Sequence, residues 1–125
     1  MAFSEGAGIA AQMLLEDAKH HFGEIKCAIL FSAPLPIDPE LVQRGVIIDM
    51  AADGVHINIP TAHIWSNEGD LYPGMGQELA QRCKGNLMEE YVHRLGHEIP
   101  GSRSREGLEE CVRAIERTME RARSF

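Results

Sequence analysis

The stretch Ala2-Phe3-Ser4-Glu5-Gly6 opens the chain, and small and apolar residues at helical spacing follow it directly. A serine with small residues two positions before and after it is typical of a sharp strand-to-helix turn, because small side chains let the backbone pass through a strained conformation. Gly6 fits the second small position and Ala2 takes the first. The pattern predicts that Ser4 stands exposed at such a turn, and that the strand delivering it lies upstream of the first residue.

The composition is that of an ordinary globular domain. The 125 residues are 44% hydrophobic and 25% charged, with a formal net charge of −7. A chain of this length predicts a single domain covering residues 1–125. An acidic chain attracts neither nucleic acid nor an anionic membrane, so the expected partner is small or neutral. Because no run is long enough for a membrane span and no secretory signal begins the chain, the expected location is cytoplasmic.

The cysteines and histidines predict no bound metal and no cofactor. Cys27, Cys83 and Cys111 lack the spacing of metal ligands, and no histidine pair completes a recognisable ligand motif. An odd number of cysteines leaves at least one free thiol in any disulfide scheme. Reduced, buried thiols in a reducing compartment are therefore the expectation.

Apolar periodicity predicts an alternation of helices and strands. Short apolar runs at 27–31, 61–66 and 87–92 predict three buried strands. Helical spacing follows Ser4, recurs at 75–83, and is clearest at 105–122. In the last helix the residues predicted to face the core are Leu108, Cys111, Val112, Ile115, Met119 and Ala122. The alternation indicates the α/β class, with a parallel sheet of about three strands and helical crossovers.

A long excursion separates the first two predicted strands. Residues 33–60 contain Pro34, Pro36 and Pro39, with a short helical pattern near 39–44 and the apolar run 46–48. Connections of this length inside a compact domain are usually functional or disordered. We therefore predict that the excursion forms a cap over a pocket.

Three residues with side chains suited to catalysis occur along the chain in an informative order: Ser4, Asp70 and His97. Asp70 comes shortly after the strand at 61–66, and His97 follows Gly96 in the loop after the next strand. Separately, Ser4 has a simpler interpretation as a helix N-cap, Asp70 as a turn residue and His97 as a loop residue. Together they give the order Ser, Asp, His of the α/β-hydrolases, at the strand ends where ligands gather in such sheets. The order favours a triad in which His97 takes the proton of Ser4 and Asp70 orients His97.

Four segments of the chain resemble the FSH-type fungal serine hydrolases, and together they cover nearly all of it. They are Ala2-Phe3-Ser4-Glu5-Gly6-Ala7, Ala28-Ile29-Leu30-Phe31-Ser32-Ala33-Pro34, Ile59-Pro60-Thr61-Ala62-His63-Ile64-Trp65 and Gly96-His97-Glu98-Ile99-Pro100. The resemblance implies a partial α/β-hydrolase fold that starts at the nucleophile and lacks the N-terminal strands. It also implies an esterase or thioesterase acting on an acyl ester or thioester. Because many relatives belong to polyketide biosynthetic clusters, it further implies a role in secondary metabolism, with an acyl-carrier domain of a polyketide synthase as a partner.

The chain departs from the family pattern at three positions. Ala2 replaces the usual glycine before the nucleophile, and Leu95 replaces the first glycine of the usual Gly-Gly-His. The position that aligns with the family's acid is Gly69, between Glu68 and Asp70. Asp70 is the preferred acid, since a tight loop absorbs one residue, and Glu68 remains the alternative.

The missing N-terminal half leaves alternatives open. In the family that half supplies one donor of the oxyanion hole, and the second donor is the backbone N–H of the residue after the nucleophile, here Glu5. Without the preceding strands, the sheet edge beside Ser4 is expected to be bare. The alternatives to an active hydrolase are therefore a truncated, inactive fragment and a noncatalytic homodimer that pairs two such edges.

Overall fold

The computed structural model describes residues 1–21, 23–36, 56–83 and 85–124. In chain order its elements are β1 (Ala2–Phe3), α1 (Glu5–His20), β2 (Ala28–Phe31), β3 (Thr61–Ser66), α2 (Met75–Ala80), a 3-10 turn (Gly85–Leu87), β4 (Met88–His93) and α3 (Arg105–Arg123). The strands form one parallel sheet in the order β1-β2-β3-β4. The prediction of a partial α/β fold with a parallel sheet is confirmed.

Strand β1 corrects the prediction of about three strands. Ala2 pairs with Leu30 and Phe3 with Phe31, and the N–H of Ser4 donates to the carbonyl of Phe31 at 2.9 Å. A strand that delivers Ser4 therefore lies within this chain, whereas the sequence pattern had placed it upstream. Two residues are too few to show a strand period, so the sequence pattern did not reveal them.

The sheet is covered by helices on both faces, because alternate residues of a strand point to opposite sides. On one side Leu30 packs with Ala7 and Ala11 of α1 and with Leu79 of α2. On the other side the neighbouring residues of β2 pack against α3 in a cluster of Ile29, Phe31, Ala62, Ile64, Cys111 and Ala114. This arrangement brings the carboxyl ends of all four strands, and the loops that follow them, to one edge of the sheet.

The buried face of α3 is shifted by one position from the predicted one. The residues that it buries are Gly107, Cys111, Ala114 and Thr118. Cys111 was predicted correctly, but three other residues predicted to face the core, Leu108, Val112 and Met119, are exposed. Ile115 also packs against the core cluster as predicted, so the period of the helix was right and its phase was off by one position. Small residues let the helix lie close to the sheet, which leaves the larger apolar side chains as a stripe along its flank.

The remaining features of the fold concern the end of α1, the predicted cap, the cysteines and membrane-spanning helices. Helix α1 ends at His20, and His21 takes the left-handed conformation (φ 47°) at its C-terminus. Most of the predicted cap at 33–60 falls in residues 37–55, which lie outside the described residues. Cys27, Cys83 and Cys111 are all free, and the last two are buried. Among the described residues, no helix combines the length and apolar character that a membrane crossing requires.

His63 makes the stability of this fold depend on pH. Its side chain is 2% exposed, and Nε2 lies 3.0 Å from Thr61 Oγ1. Burial lowers the pKa of His63 from 6.5 to about 4. Between these values the unfolded chain binds a proton that the folded chain does not, so the free energy of unfolding falls as the pH drops. We expect urea denaturation to give a value about 2–3 kcal/mol lower at pH 4.5 than at pH 7.

The substitution His63→Gln isolates this effect. Glutamine keeps a polar group near Thr61 but does not titrate, so the loss of stability between pH 7 and pH 4.5 is expected to shrink by about 2 kcal/mol. His93 is also buried, and burial lowers its pKa too, so a residual slope remains. An unchanged slope in the His63→Gln variant would contradict the assignment.

Candidate active site

Ser4 lies in a strained turn between β1 and α1. Its backbone has φ 58° and ψ −129°, a region that residues other than glycine rarely adopt. Although Ser4 occupies the N-cap position of α1, its side chain makes no capping hydrogen bond. The hydroxyl lies instead 2.7 Å from Nε2 of His97. The turn therefore presents the Ser4 side chain to a histidine, and the simpler N-cap interpretation does not account for it.

His97 links Ser4 to Asp70. Nδ1 of His97 lies 2.8 Å from Oδ1 of Asp70, and the two side chains are 19% and 6% exposed. Burial alone raises the pKa of the Asp70 carboxyl. Hydrogen bonds from His97 and from the backbone N–H groups of Tyr72 and Ser66, together with the charge of His97, outweigh it and hold the pKa below its ordinary value. Asp70 is therefore a carboxylate at neutral pH, which suits an acceptor for the Nδ1 proton.

Glu68, the alternative acid, points elsewhere. Its side chain is 63% exposed and lies 3.9 Å from Nε of Arg94. The carboxylate that contacts His97 belongs to Asp70, one position beyond the residue that aligns with the family's acid. The turn through Gly69, which has φ 66°, accommodates this shift.

Two aromatic rings contact the ring of His97, and the sequence reasoning missed both. The ring centroid of Phe3 lies 5.1 Å from that of His97, and Tyr72 meets it edge-on at 5.5 Å. The phenol of Tyr72 also donates to Oε1 of Glu5 at 3.3 Å. Such contacts restrict rotation of the imidazole. The sequence offered two signals for them: Phe3 directly precedes Ser4, and Tyr72 follows Asp70 by two residues.

Ser66 ties together the loops that carry Asp70 and His97. Its hydroxyl is buried at the end of β3, where it donates to the carbonyl of Glu68 at 2.7 Å and accepts from the N–H of Gly96 at 3.1 Å. The two loops meet at Gly69 and Gly96, which both have positive φ, and a Cβ on Gly96 would lie 3.4 Å from the carbonyl oxygen of Gly69. A strand-end serine carries no sequence signal for this role.

The N-terminus of α1 supplies the backbone donors beside Ser4. The N–H groups of Ala7 and Gly8 donate to the carbonyl of Ser4 at 2.9 and 3.1 Å. The first N–H groups of a helix have no acceptor within the helix, and Glu5 is the first residue of α1. The Glu5 N–H is thus one of the N-terminal N–H groups without an acceptor in the helix, and its role as an oxyanion donor remains a prediction.

Within 1–21, 23–36, 56–83 and 85–124, no group of three or more histidine, cysteine or acidic side chains is arranged to hold an ion. The arrangement around Ser4 is instead suited to nucleophilic attack by an activated hydroxyl.

Comparisons with known proteins agree with this geometry. The family profile described as serine hydrolase (FSH1) matches residues 1–108, a stretch that includes Ser4, Asp70 and His97. The chain is also similar to the esterase FPY3 of Fusarium mangiferae, with 28% identity over 130 aligned positions that cover 98% of this chain and 56% of that esterase. The chain thus spans about half the length of this relative. The family match extends over most of the sequence, so the chain belongs to the FSH1 family of serine hydrolases.

Proposed function

We propose that this protein is a serine esterase or thioesterase that cleaves an acyl ester or thioester through an acyl-enzyme on Ser4. The observation that carries the proposal is the continuous chain of hydrogen bonds from Ser4 through His97 to Asp70, at 2.7 and 2.8 Å. Serine is a weak nucleophile until a neighbouring base takes its proton, and this chain provides that base with an orienting carboxylate.

Each residue has a defined role in the proposed reaction. Nε2 of His97 accepts the Ser4 proton while Oγ attacks the acyl carbon, and the Nδ1–H group of His97 donates a hydrogen bond to the Asp70 carboxylate. The oxyanion that forms accepts a hydrogen bond from the N–H of Glu5. His97 then passes the proton to the departing alcohol or thiol, which leaves the acyl group on Ser4. A water molecule, deprotonated in turn by His97, then attacks the acyl carbon. The acid leaves, and His97 returns the proton to Oγ, which restores the Ser4 hydroxyl.

The narrower parts of the proposal rest on the family resemblance. These are the thioester as substrate, a place in fungal polyketide biosynthesis, and an acyl-carrier domain as partner. The similar protein of Fusarium mangiferae is described as an esterase. A cytoplasmic location is supported by the three free cysteines, since reduced thiols are usual in a reducing compartment.

A noncatalytic homodimer is the second candidate, and a specific feature favours it. The two-residue strand β1 lies at one edge of the sheet, where Phe3 is exposed and the exposed Met13 of α1 lines a cavity with Ala2. Edges of this kind invite pairing with another strand. Sedimentation tests for the dimer, because a monomer at micromolar concentration excludes it. If that monomer also folds cooperatively and cleaves an ester, the inactive fragment is excluded as well.

A fluorophosphonate probe tests the proposed nucleophile. We expect one covalent adduct, located on Ser4 by peptide mass spectrometry, and none in the Ser4→Ala variant. Ser32→Ala is the matched control, because Ser32 also directly follows a strand with positive φ (48°), yet its hydroxyl is buried and has no hydrogen-bond partner among the described residues. Labelling of the control should equal that of the parent chain. Absence of an Ser4 adduct in folded protein would overturn the proposal.

Ser66→Ala is expected to lower kcat/KM for an ester by about 10- to 100-fold, because the Asp70 and His97 loops lose the hydroxyl that joins them. Ser104→Ala is the control: Ser104 also accepts from a glycine N–H, that of Gly107 at 3.0 Å, but caps α3 away from the site. That variant should lose about 1 kcal/mol of stability and keep its kcat/KM. Equal losses of activity in both variants would show that Ser66 acts only through stability.

A further inference from the structure

An open groove of about 410 Å³ begins at Glu5, the residue after Ser4, and follows one face of α1. The helix contributes Glu5, Gly8, Ile9 and Gln12 to it. Their spacing of i, i+3, i+4 and i+7 places all four on one side of the helix. At 1.5 Å per residue, this side is about 10 Å long from its catalytic end to its far end.

The walls of the groove are mainly apolar. Pro34, Leu35 and Pro36, which follow β2, line it together with Tyr72 and Met75. Gly8 makes close approach of this wall possible, since a Cβ there would lie 2.9 Å from Cγ of Pro34. A glycine at this helix position therefore lets the helix backbone serve as part of the groove's apolar lining.

The end of the groove at Glu5 and Tyr72, called here its catalytic end, adjoins the triad through these two residues. Glu5 directly follows Ser4, and Tyr72 contacts both the ring of His97 and the carboxylate of Glu5. Among the described residues that line the groove, Glu5 is the one charged side chain. A carboxylate or phosphate on a bound chain would meet no cation among these described lining residues, and it would meet Glu5 at the catalytic end.

We propose that this groove binds the acyl chain of the substrate and selects neutral, aliphatic acyl groups of medium length. The proposal rests on the proposed function, because it assumes that the carbonyl carbon stands at Ser4 Oγ. From that point the chain lies along the Glu5 to Gln12 face of α1, and the alcohol or thiol part points away from the groove.

A series of p-nitrophenyl esters tests the direction of the chain. From acetate through butyrate and hexanoate to octanoate, kcat/KM is expected to rise roughly two- to fourfold for each buried methylene. Lengthening the alcohol of acetate esters instead should change kcat/KM much less. A flat acyl series, or a steeper response to the alcohol than to the acyl chain, would overturn the proposal.

Two exposed residues of α1 provide a matched pair of variants. Ile9 lines the groove, whereas Met13, about one helical turn further on, lines a separate cavity with Ala2 and Leu30. Ile9→Ala is expected to lower the octanoate-to-acetate ratio of kcat/KM at least about threefold, and Met13→Ala to leave it unchanged. Both side chains are exposed, so neither variant should fail to fold. Equal ratios in the two variants would contradict the assignment.

A binding measurement separates the groove from the chemistry. In the Ser4→Ala variant, octanamide is expected to shift the backbone amide signals of Gly8, Ile9 and Gln12 in NMR spectra, and acetamide to leave them in place. If no ester is cleaved but octanamide binds at these residues, the proposed function fails and the groove stands. If esters are cleaved but octanamide shifts none of these signals, the groove proposal is wrong and the proposed function stands.

Discussion

Replacing Asp70 with asparagine is expected to lower kcat for ester cleavage by about 10,000-fold while leaving the fold intact. The carboxylate of Asp70 accepts the Nδ1 proton of His97 at 2.8 Å. An asparagine amide in its place donates to Nδ1 and so favours the tautomer with its proton on Nε2. A protonated Nε2 cannot take the proton of Ser4, although every distance is preserved. Single-turnover hydrolysis of a p-nitrophenyl ester, with circular dichroism to verify folding, measures the effect.

Glu68→Gln is the matched control for Asp70→Asn. Both changes convert an acid of the same loop to its amide, but the Glu68 side chain is largely exposed and faces Arg94. We expect kcat to stay within about twofold of the parent value, because an exposed ion pair of this kind contributes little. A large loss in Glu68→Gln with a small loss in Asp70→Asn would assign the acid to Glu68 and contradict the hydrogen bonding seen here.

The predictable parts of this site are those that depend on chain order and strand ends. Strand β3 at Thr61–Ser66 was predicted with its observed bounds, because a short apolar run between a proline and a polar turn has few alternatives. The end of β3 fixes where the loop that carries Asp70 begins, and the end of β4 fixes where the loop that carries His97 begins. Since parallel strands share one carboxyl edge, order along the chain was enough to predict that these loops meet.

The parts that escaped prediction depend on side-chain direction. The sequence left Glu68 and Asp70 as alternatives, because the turn at Gly69 decides which of the two carboxylates faces His97. The sequence pattern does not show the positive φ of Gly69. The contacts of Phe3 and Tyr72 with His97 join residues far apart in the chain. Helix α3 shows the same limit in the core: its period was evident, but Gly107 rather than Leu108 is buried, where a Cβ at position 107 would lie 3.0 Å from Ser104 Oγ and 3.1 Å from Pro100 Cβ.

Ser4→Gly is expected to abolish activity and yet to be more stable than Ser4→Ala. Both variants lack the proposed nucleophile, so ester cleavage should fall by at least about 10,000-fold in each. Both also lose the hydrogen bond to His97. They differ in the backbone, because φ 58° and ψ −129° strain any residue with a Cβ by about 1–3 kcal/mol and glycine hardly at all. We expect thermal denaturation to place Ser4→Gly about 1–2 kcal/mol above Ser4→Ala, or about 4–8 °C in Tm.

An ordinary helical position gives the opposite order and serves as the control. Glu16 lies within α1, where glycine is about 1 kcal/mol less favourable than alanine. Glu16→Gly should therefore be less stable than Glu16→Ala, and both should keep the parent activity. If glycine and alanine rank the same way at Ser4 as at Glu16, the turn stores no strain. The reversed order would mean that the fold holds Ser4 in a costly conformation, and that the contact of its hydroxyl with His97 is obtained at the expense of stability.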